Sequence, residues 1–336
     1  MPCCLRIKSR IVNMVYDGSV IIGSSGFVGS RLVKHLVDRG AKNLCALDIA
    51  PPRVVVPGVR YESVDVRSPI PVEFGCGASL IYNLAATHRT PGHPPDEYFE
   101  TNIAGAINVV ALAKSCDVKT IVFTSSISVY GPCEDEVSET SQLTPVSSYG
   151  RSKRLAEQIH TQWLADAPDR RLVTVRPGVI FGPGEGGNYT ALARSLSRGY
   201  FFYPGRRTTV KSGGYVDELL RTMDFALSRP ERYCLYNFVY PDQSTIQEIV
   251  NTFGRVMGRR YTPMTLPWPL LRAAAAALQA TGALGLRTVI HPDRVMKLVQ
   301  STRIAPGWLL TNGYEFSTNL KTALENWRDE TGGRFD

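Results

Sequence analysis

The sequence predicts a doubly wound α/β fold: a parallel sheet with helices on both faces, followed by a smaller, mixed but mainly helical C-terminal lobe. Three observations predict it. Short apolar runs alternate with longer segments of helical period from residue 19 to about residue 178, the pattern that βαβ units leave in a sequence. The runs are β-branched or continuously apolar, as strands buried on both faces must be. After Arg176 and Pro177 the alternation loosens, and Gly, Pro and basic residues gather through 205–214.

Taken in order, strands are expected over residues 19–22, 43–47, 60–64, 80–84, 120–124 and 172–175, and helices over 27–39, 98–116 and 148–164. The first helix runs into Gly40, the residue type that takes the left-handed conformation past a helix C-terminus without steric cost. Residues 214–227 regain strand-then-helix character, so the chain is expected to return to the first domain around 214–240. The division expected is a first domain over 16–178, a second lobe over 179–336 and a disordered extension over 1–15.

Of 336 residues, 43% are hydrophobic and 20% charged, an ordinary globular composition. The formal charge of +8 is spread along the chain without runs, which points to an anionic small ligand and away from nucleic acid. Seven cysteines, Cys3, Cys4, Cys45, Cys76, Cys116, Cys133 and Cys234, form no CxxC pair and no metal-ligand spacing with the five histidines. Reduced thiols, a cytoplasmic location and no metal are expected. The first residues lack the apolar core of a signal peptide. Residues 273–286, interrupted by Gln279, Thr281 and Gly282, are too short to span a bilayer.

Gly23, Gly26 and Gly29 lie between the first strand and the first helix. In that context the first permits a sharp turn, the second lets backbone approach a pyrophosphate and the third lets helix and strand pack closely, while the helix N-terminus offers free N–H groups. Ser25, Phe27 and Val28 belong to the same turn. Asp48, nineteen residues beyond Gly29, is placed to accept hydrogen bonds from an adenosine ribose and disfavours a 2′-phosphate. A Rossmann domain holding NAD is the expectation, with Arg53 the one nearby residue that favours NADP. Asp65 and Val66 after the third strand, and Leu84, Ala85 and Ala86 after the fourth, are candidates to line the dinucleotide.

Tyr149 and Lys153 stand four apart at the start of a helix, so both project from one face. A cation beside a phenol favours phenolate and draws the tyrosine pKa down from about 10 toward a range useful for general acid–base work. Ser126 follows the fifth strand, at the carboxyl end where such sheets bind ligands, and can hydrogen-bond a substrate oxygen. Ser125 and Ser128 are the alternatives in the same hydroxyl cluster.

These elements together resemble the extended short-chain dehydrogenase/reductase superfamily, in particular its NAD-dependent epimerase/dehydratase branch. The matching parts are Gly23–Gly29, Asp48, Asp65 with Val66, residues 83–86, Thr101 with Asn102, residues 125–131, Tyr149 with Lys153, Arg176 with Pro177, residues 182–184, and Tyr215 with Asp217. The resemblance implies that Ser126 polarises the substrate oxygen, that Tyr149 moves its proton, and that Lys153 also holds the nicotinamide ribose. Ser125 and Pro177 join the cofactor contacts. It further implies nucleotide-activated sugar substrates, and a homodimer built from the helices at 98–116 and 148–164.

Within the branch, Ile127 and Ser128 stand where dehydratases carry Asp-Glu, which argues against elimination of water. Val179 stands where 4-epimerases often carry Asn, so epimerase and 4-keto-sugar reductase both stay open. The stretch 176–183 is also similar to the hydroxysteroid dehydrogenase branch, making a 3β-hydroxysteroid-type dehydrogenase the rival; a non-catalytic NAD-binding regulatory module is the alternative of another class. Sugar is favoured by second-lobe residues suited to a diphosphate: Asn188, Arg206, Arg207, Lys211, Arg294 and Arg303. The C-terminal pattern around 291–303 and 313–316 resembles bacterial surface-polysaccharide enzymes. Thr87 and His88 are candidates to touch the sugar.

Overall fold

The computed structural model describes residues 16–89, 92–271, 273 and 299–336. The expected extension at 1–15 and Arg294 lie outside the described residues, as does the 273–286 segment beyond its first residue.

Seven strands form one sheet: β1 (Ser19–Ile22), β2 (Leu44–Asp48), β3 (Val59–Ser63), β4 (Leu80–Asn83), β5 (Thr120–Thr124), β6 (Arg171–Pro177) and β7 (Tyr233–Phe238). They pair in the order β7-β6-β5-β4-β1-β2-β3, every pair parallel. The strand order reverses between β1 and β4, and in such sheets the crevice beyond the carboxyl ends at that point takes the ligand.

Alternation along β1 divides the core. Ile21 joins Leu32, Leu36, Tyr82, Val122 and Tyr236 on one face, whereas Val20 and Ile22 join Ile81, Val109, Ile121 and Trp163 on the other. Each face is closed by helices that must follow their strands on right-handed crossovers. Helix α1 (Phe27–Asp38) follows β1. Helix α2 (Gly105–Ser115) continues an earlier turn, Pro95–Phe99, through a π-helical step at Glu100–Ala104. Helix α3 (Ser148–Ala165) carries Tyr149 and Lys153.

The seventh strand was not among those expected, because its sequence, YCLYNF, mixes Tyr and Asn into the apolar run. Those polar groups are satisfied inside: the Tyr236 hydroxyl lies 3.2 Å from that of Thr222, and the Asn237 amide donates to the Ala305 carbonyl at 3.0 Å.

The second lobe has its own aromatic core, in which Phe181 stacks on Tyr189 at 4.3 Å and neighbours Tyr215, Tyr240 and Trp327. Its described helices are α4 (Asn188–Ser197), α6 (Ile246–Val256), α8 (Leu320–Glu330) and the short α7 (Gly307–Thr311), with α5 (Val216–Ser228) returning toward the sheet. Three two-stranded pairs stitch these helices together: Val179–Phe181 with Gly213–Tyr215, Tyr203–Pro204 with Thr265–Leu266, and Cys133–Val137 with Thr302–Ile304. None of the described helices is long and apolar enough to cross a membrane.

Candidate active site

The glycine turn is built by close approach. Gly23 has φ +87°, and a Cβ there would sit 2.6 Å from the Ala85 nitrogen. At Gly29 a Cβ would lie 2.0 Å from the Gly23 carbonyl oxygen, so helix and turn cannot approach with any side chain between them. Gly26 meets only the Gly23 oxygen, at 3.3 Å, and its outer side is open. Phe27 and Val28 begin α1, whose first turn has no side-chain cap and no acidic residue, leaving N–H groups for an anion. Leu84 donates its N–H to Ile22, which seats the end of β4 against the turn.

Asp48 ends β2 and accepts the Ser25 N–H at 2.9 Å on one oxygen and the Ala50 N–H at 2.9 Å on the other. A cavity of about 240 Å³ opens beside it, bounded by Ser24, Ile49, Tyr61 and Ser63. Arg53 donates from Nε to the Ser25 carbonyl at 3.0 Å and from Nη1 to the Gly184 carbonyl at 2.6 Å, so two of its three guanidinium nitrogens are tied to backbone. Asp65 is held by Arg67 through two short contacts, and the following Val66 is buried beneath Gly105.

At the end of β5, Ser125 continues the ladder by donating its N–H to Val175 at 2.7 Å. Ser126 caps the short turn Ile127–Val129: its oxygen accepts the Ser128 N–H at 3.1 Å and lies 3.1 Å from the Ser128 hydroxyl. Helix α3 starts directly against this turn, because Gly150 has no side chain; a Cβ there would be 2.3 Å from the Ser128 carbonyl oxygen. That approach brings the Tyr149 phenol to Ser126. Burial pushes the phenol pKa up, and the hydrogen bond with the Ser126 hydroxyl draws it back.

Lys153 is buried. Removal from water lowers its pKa to about 7, with the Glu157 charge opposing. Its ammonium lies 4.4 Å from the centre of the Phe123 ring, on which His160 also stacks at 4.1 Å with 13° between planes. Both cannot occupy one ring face, so Phe123 is held between them. His160 donates from Nδ1 to the Ala156 carbonyl at 2.7 Å and accepts the Asn83 amide on Nε2 at 3.2 Å. Burial depresses its pKa to about 4 and keeps it neutral.

The sequence matches the NAD dependent epimerase/dehydratase family over residues 19–237. The chain belongs to that family. It is similar along most of its length to N-acetyl-alpha-D-glucosaminyl-diphospho-ditrans,octacis-undecaprenol 4-epimerase of Escherichia coli O157:H7, with 29% identity covering 92% of this chain and 93% of the relative. The UDP-glucose 4-epimerase of Vibrio cholerae is 29% identical over 61% of this chain and 66% of its own. Among solved structures, the UDP-glucuronic acid 4-epimerase of Bacillus cereus in complex with NAD has the same fold, with TM-score 0.74, 18% identity and coverage of 95% of this chain and 99% of that one.

As a member of the NAD dependent epimerase/dehydratase family the chain is an NAD-dependent enzyme, and its residues fit the cofactor. The outer side of Gly26 is open, the N-terminus of α1 is uncapped and Asp48 is held at the cavity mouth. The Ser24 and Ser125 hydroxyls are buried without a hydrogen-bond partner, which is costly unless a ligand supplies one. The sequence points to Ser25 in this turn, and the structure adds its neighbour Ser24. Replacing Asp48 with Ala is expected to weaken NAD binding by about 10- to 100-fold, the loss of one to two hydrogen bonds to a charged group; titration calorimetry on the purified protein measures it, and an unchanged Kd refutes the ribose assignment.

Two positioning residues were not given roles by the sequence. Asn102, delivered by the π-helical step before α2, bonds both backbone groups of Thr87 and the Ser152 hydroxyl, which in turn donates to the Tyr149 carbonyl. It welds the β4 loop, with Thr87 and the exposed His88, to the helix that carries Tyr149 and Lys153. Desolvation lowers the His88 pKa, so it is neutral at neutral pH. Gly150 is the other; its signal was a glycine in the first turn of a helix, where propensity alone disfavours it.

The expected phosphate ligands are not gathered into one cluster. Asn188 is exposed at the start of α4. Arg206 departs from expectation: its guanidinium is paired with Glu134 at 2.5–2.6 Å and with the Ser301 hydroxyl at 2.9 Å. The pairing of Cys133–Val137 with Thr302–Ile304 brings that carboxylate to it. Arg207 donates to Thr265, Lys211 to the Gln300 carbonyl, and Arg303 is exposed.

The buried neutral His160 makes a pH prediction. Its pKa is lower folded, about 4, than unfolded, about 6.5, so between those values the unfolded chain binds the extra proton. Stability therefore falls as pH drops from 6.5 to 4 and levels below, by up to about 3 kcal/mol. His160→Phe is expected to flatten that part of the curve in urea unfolding across the same pH range; an unchanged slope refutes it.

Proposed function

We propose that this enzyme is a 4-epimerase of a sugar carried on a diphosphate, with a nucleotide sugar as substrate. The similarity over nine-tenths of both chains to a 4-epimerase supports the reading. In it, Ser126 donates a hydrogen bond to the sugar oxygen at the reacting carbon while Tyr149 takes the proton of that hydroxyl and later returns it. Lys153, buried behind Phe123, stabilises the phenolate form. When bound, NAD supplies the hydride acceptor and donor. Ser126, Tyr149 and Lys153 thus act at the sugar, and Thr87 and His88 face it from the β4 loop. Arg206 would contribute to the diphosphate only by leaving Glu134.

A second reading keeps the chemistry and changes the carrier. The Escherichia coli relative is named for N-acetylglucosamine on a polyprenyl diphosphate, and the diphosphate and sugar are common to both carriers. The test incubates the enzyme and NAD with UDP-glucose, UDP-N-acetylglucosamine and undecaprenyl-diphospho-N-acetylglucosamine, following C4 inversion by NMR and NADH by absorbance. Inversion without net NADH change is expected; stoichiometric NADH consumption on a keto sugar assigns a reductase instead, and oxidation of a sterol alcohol assigns the rival dehydrogenase. A homodimer through α2 and α3 belongs to the same proposal, since the adjoining helices expose Ile107 and Leu155. So does a cytoplasmic location, which suits the free thiols of Cys45, Cys76, Cys116, Cys133 and Cys234.

A further inference from the structure

Two stretches of the second lobe carry cations and no carboxylate. Residues 186–216 hold Arg194, Arg198, Arg206, Arg207 and Lys211, and residues 249–271 hold Arg255, Arg259 and Arg260. The fold brings them together, because Tyr203 pairs with Thr265 and Pro204 with Leu266, and the Tyr203 N–H donates to the Met264 carbonyl at 2.9 Å. Continuing that register sets Phe202 beside Met264, and neighbours in a parallel ladder project to the same side. Both are exposed, at 52% and 71%. Tyr200, two residues earlier, is 76% exposed and Leu270 58%.

Cations lie on the same two stretches. Arg207 bonds the Thr265 hydroxyl at 2.8 Å and lies over the Tyr203 ring, and Arg259 reaches the Ser197 carbonyl at 3.5 Å. Arg198 and Arg260 are exposed on the same two stretches. Arg206 is not counted, since Glu134 neutralises it. Its ion pair does tie this face to the segment that follows the Ser126 turn.

A single exposed Phe or Met is ordinary. Four large apolar side chains exposed on two stretches that carry arginines and no carboxylate are not explained by solubility. The combination matches an anionic bilayer surface, where apolar side chains enter the headgroup region and arginines meet lipid phosphates. A nucleic acid would use the arginines and leave Met264 and Leu270 in water. We propose that this face docks the enzyme peripherally on membranes containing anionic lipid. The docking does not depend on the carrier of the sugar; for a polyprenyl-linked sugar it would hold the site where that substrate is presented.

The test sediments the full-length protein with vesicles of phosphatidylglycerol and phosphatidylethanolamine, and with vesicles of phosphatidylcholine alone. Binding to the first and not the second is expected. Phe202→Ser with Met264→Ser should weaken partitioning by about tenfold per side chain, and Arg259→Gln with Arg260→Gln by about fivefold per arginine at low salt. Thermal melting and NAD affinity of both variants, expected unchanged, exclude misfolding. Equal binding to phosphatidylcholine, no binding to either vesicle, or wild-type partitioning by the apolar variant each overturns the proposal. So does binding that follows the arginines alone and is competed away by duplex DNA.

Discussion

Tyr149→Phe is expected to keep the fold and the bound cofactor and to lower kcat by about 10²- to 10⁴-fold, the worth of a positioned general acid–base group. The substitution removes one oxygen and keeps the ring, whose neighbour Tyr98 lies 6.2 Å away between centroids. What is lost is the phenol that Gly150 brings against the Ser126 turn. Burial holds that phenol protonated in the free protein, and the hydrogen bond with the Ser126 hydroxyl works the other way. Single-turnover measurement with saturating diphospho-sugar separates chemistry from binding. Unchanged turnover would remove Tyr149 from the reaction.

The largest stability effect is expected at Arg176→Met. Arg176 and Glu157 are both buried and meet through two parallel bonds of 2.8 Å. The third guanidinium nitrogen donates to the Tyr130 hydroxyl at 2.8 Å, which in turn donates its O–H to the Asn237 Oδ1 at 2.9 Å. Methionine fills the volume and leaves Glu157 charged with no partner. Breaking a buried pair in this way costs about 3–5 kcal/mol, read as a lower midpoint in urea with unchanged m. Because Glu157 lies one turn beyond Lys153 on α3 and is the charge that opposes the fall of the lysine pKa, the double variant Arg176→Met with Glu157→Leu is expected to recover most of the stability. Recovery failing in the double variant would locate the cost in packing instead of charge.

The sheet was legible because its strands are local. Ser19–Ile22 and Thr120–Thr124 fall where the apolar runs put them, and the other expected strands agree to within two residues. The helix expected from residue 98 begins at Pro95, since a proline at the first helical position needs no N–H partner. Tyr233–Phe238 was missed because its Tyr and Asn break an apolar run, and only partners far along the chain make them fit.

The candidate site divides in the same way. Gly23, Gly26, Gly29 and Asp48 sit in one βαβ unit, and Tyr149 and Lys153 on one helical turn, so their chemistry is written at short spacing. Arg53 illustrates the opposite case. Its sequence position near Asp48 favoured a phosphate, and contact with Gly184, 131 residues away, turns it into a clasp between the two lobes. Arg206 suits a diphosphate in the sequence, and a carboxylate 72 residues earlier pairs with it in the fold.

By itself the sequence determined the parallel sheet, the dinucleotide turn and the spacing of the proton-transfer set, because periodicity and helical geometry act over a few residues. Only the tertiary structure decided which charges are free. Arg176, Arg206 and Arg53 are spent on partners distant in the chain, whereas Arg198, Arg259 and Arg260 are left exposed near an apolar tip. A charge that looks scattered along the sequence takes its meaning from the neighbour that folding delivers, and pairing energy depends on that distance and burial alone.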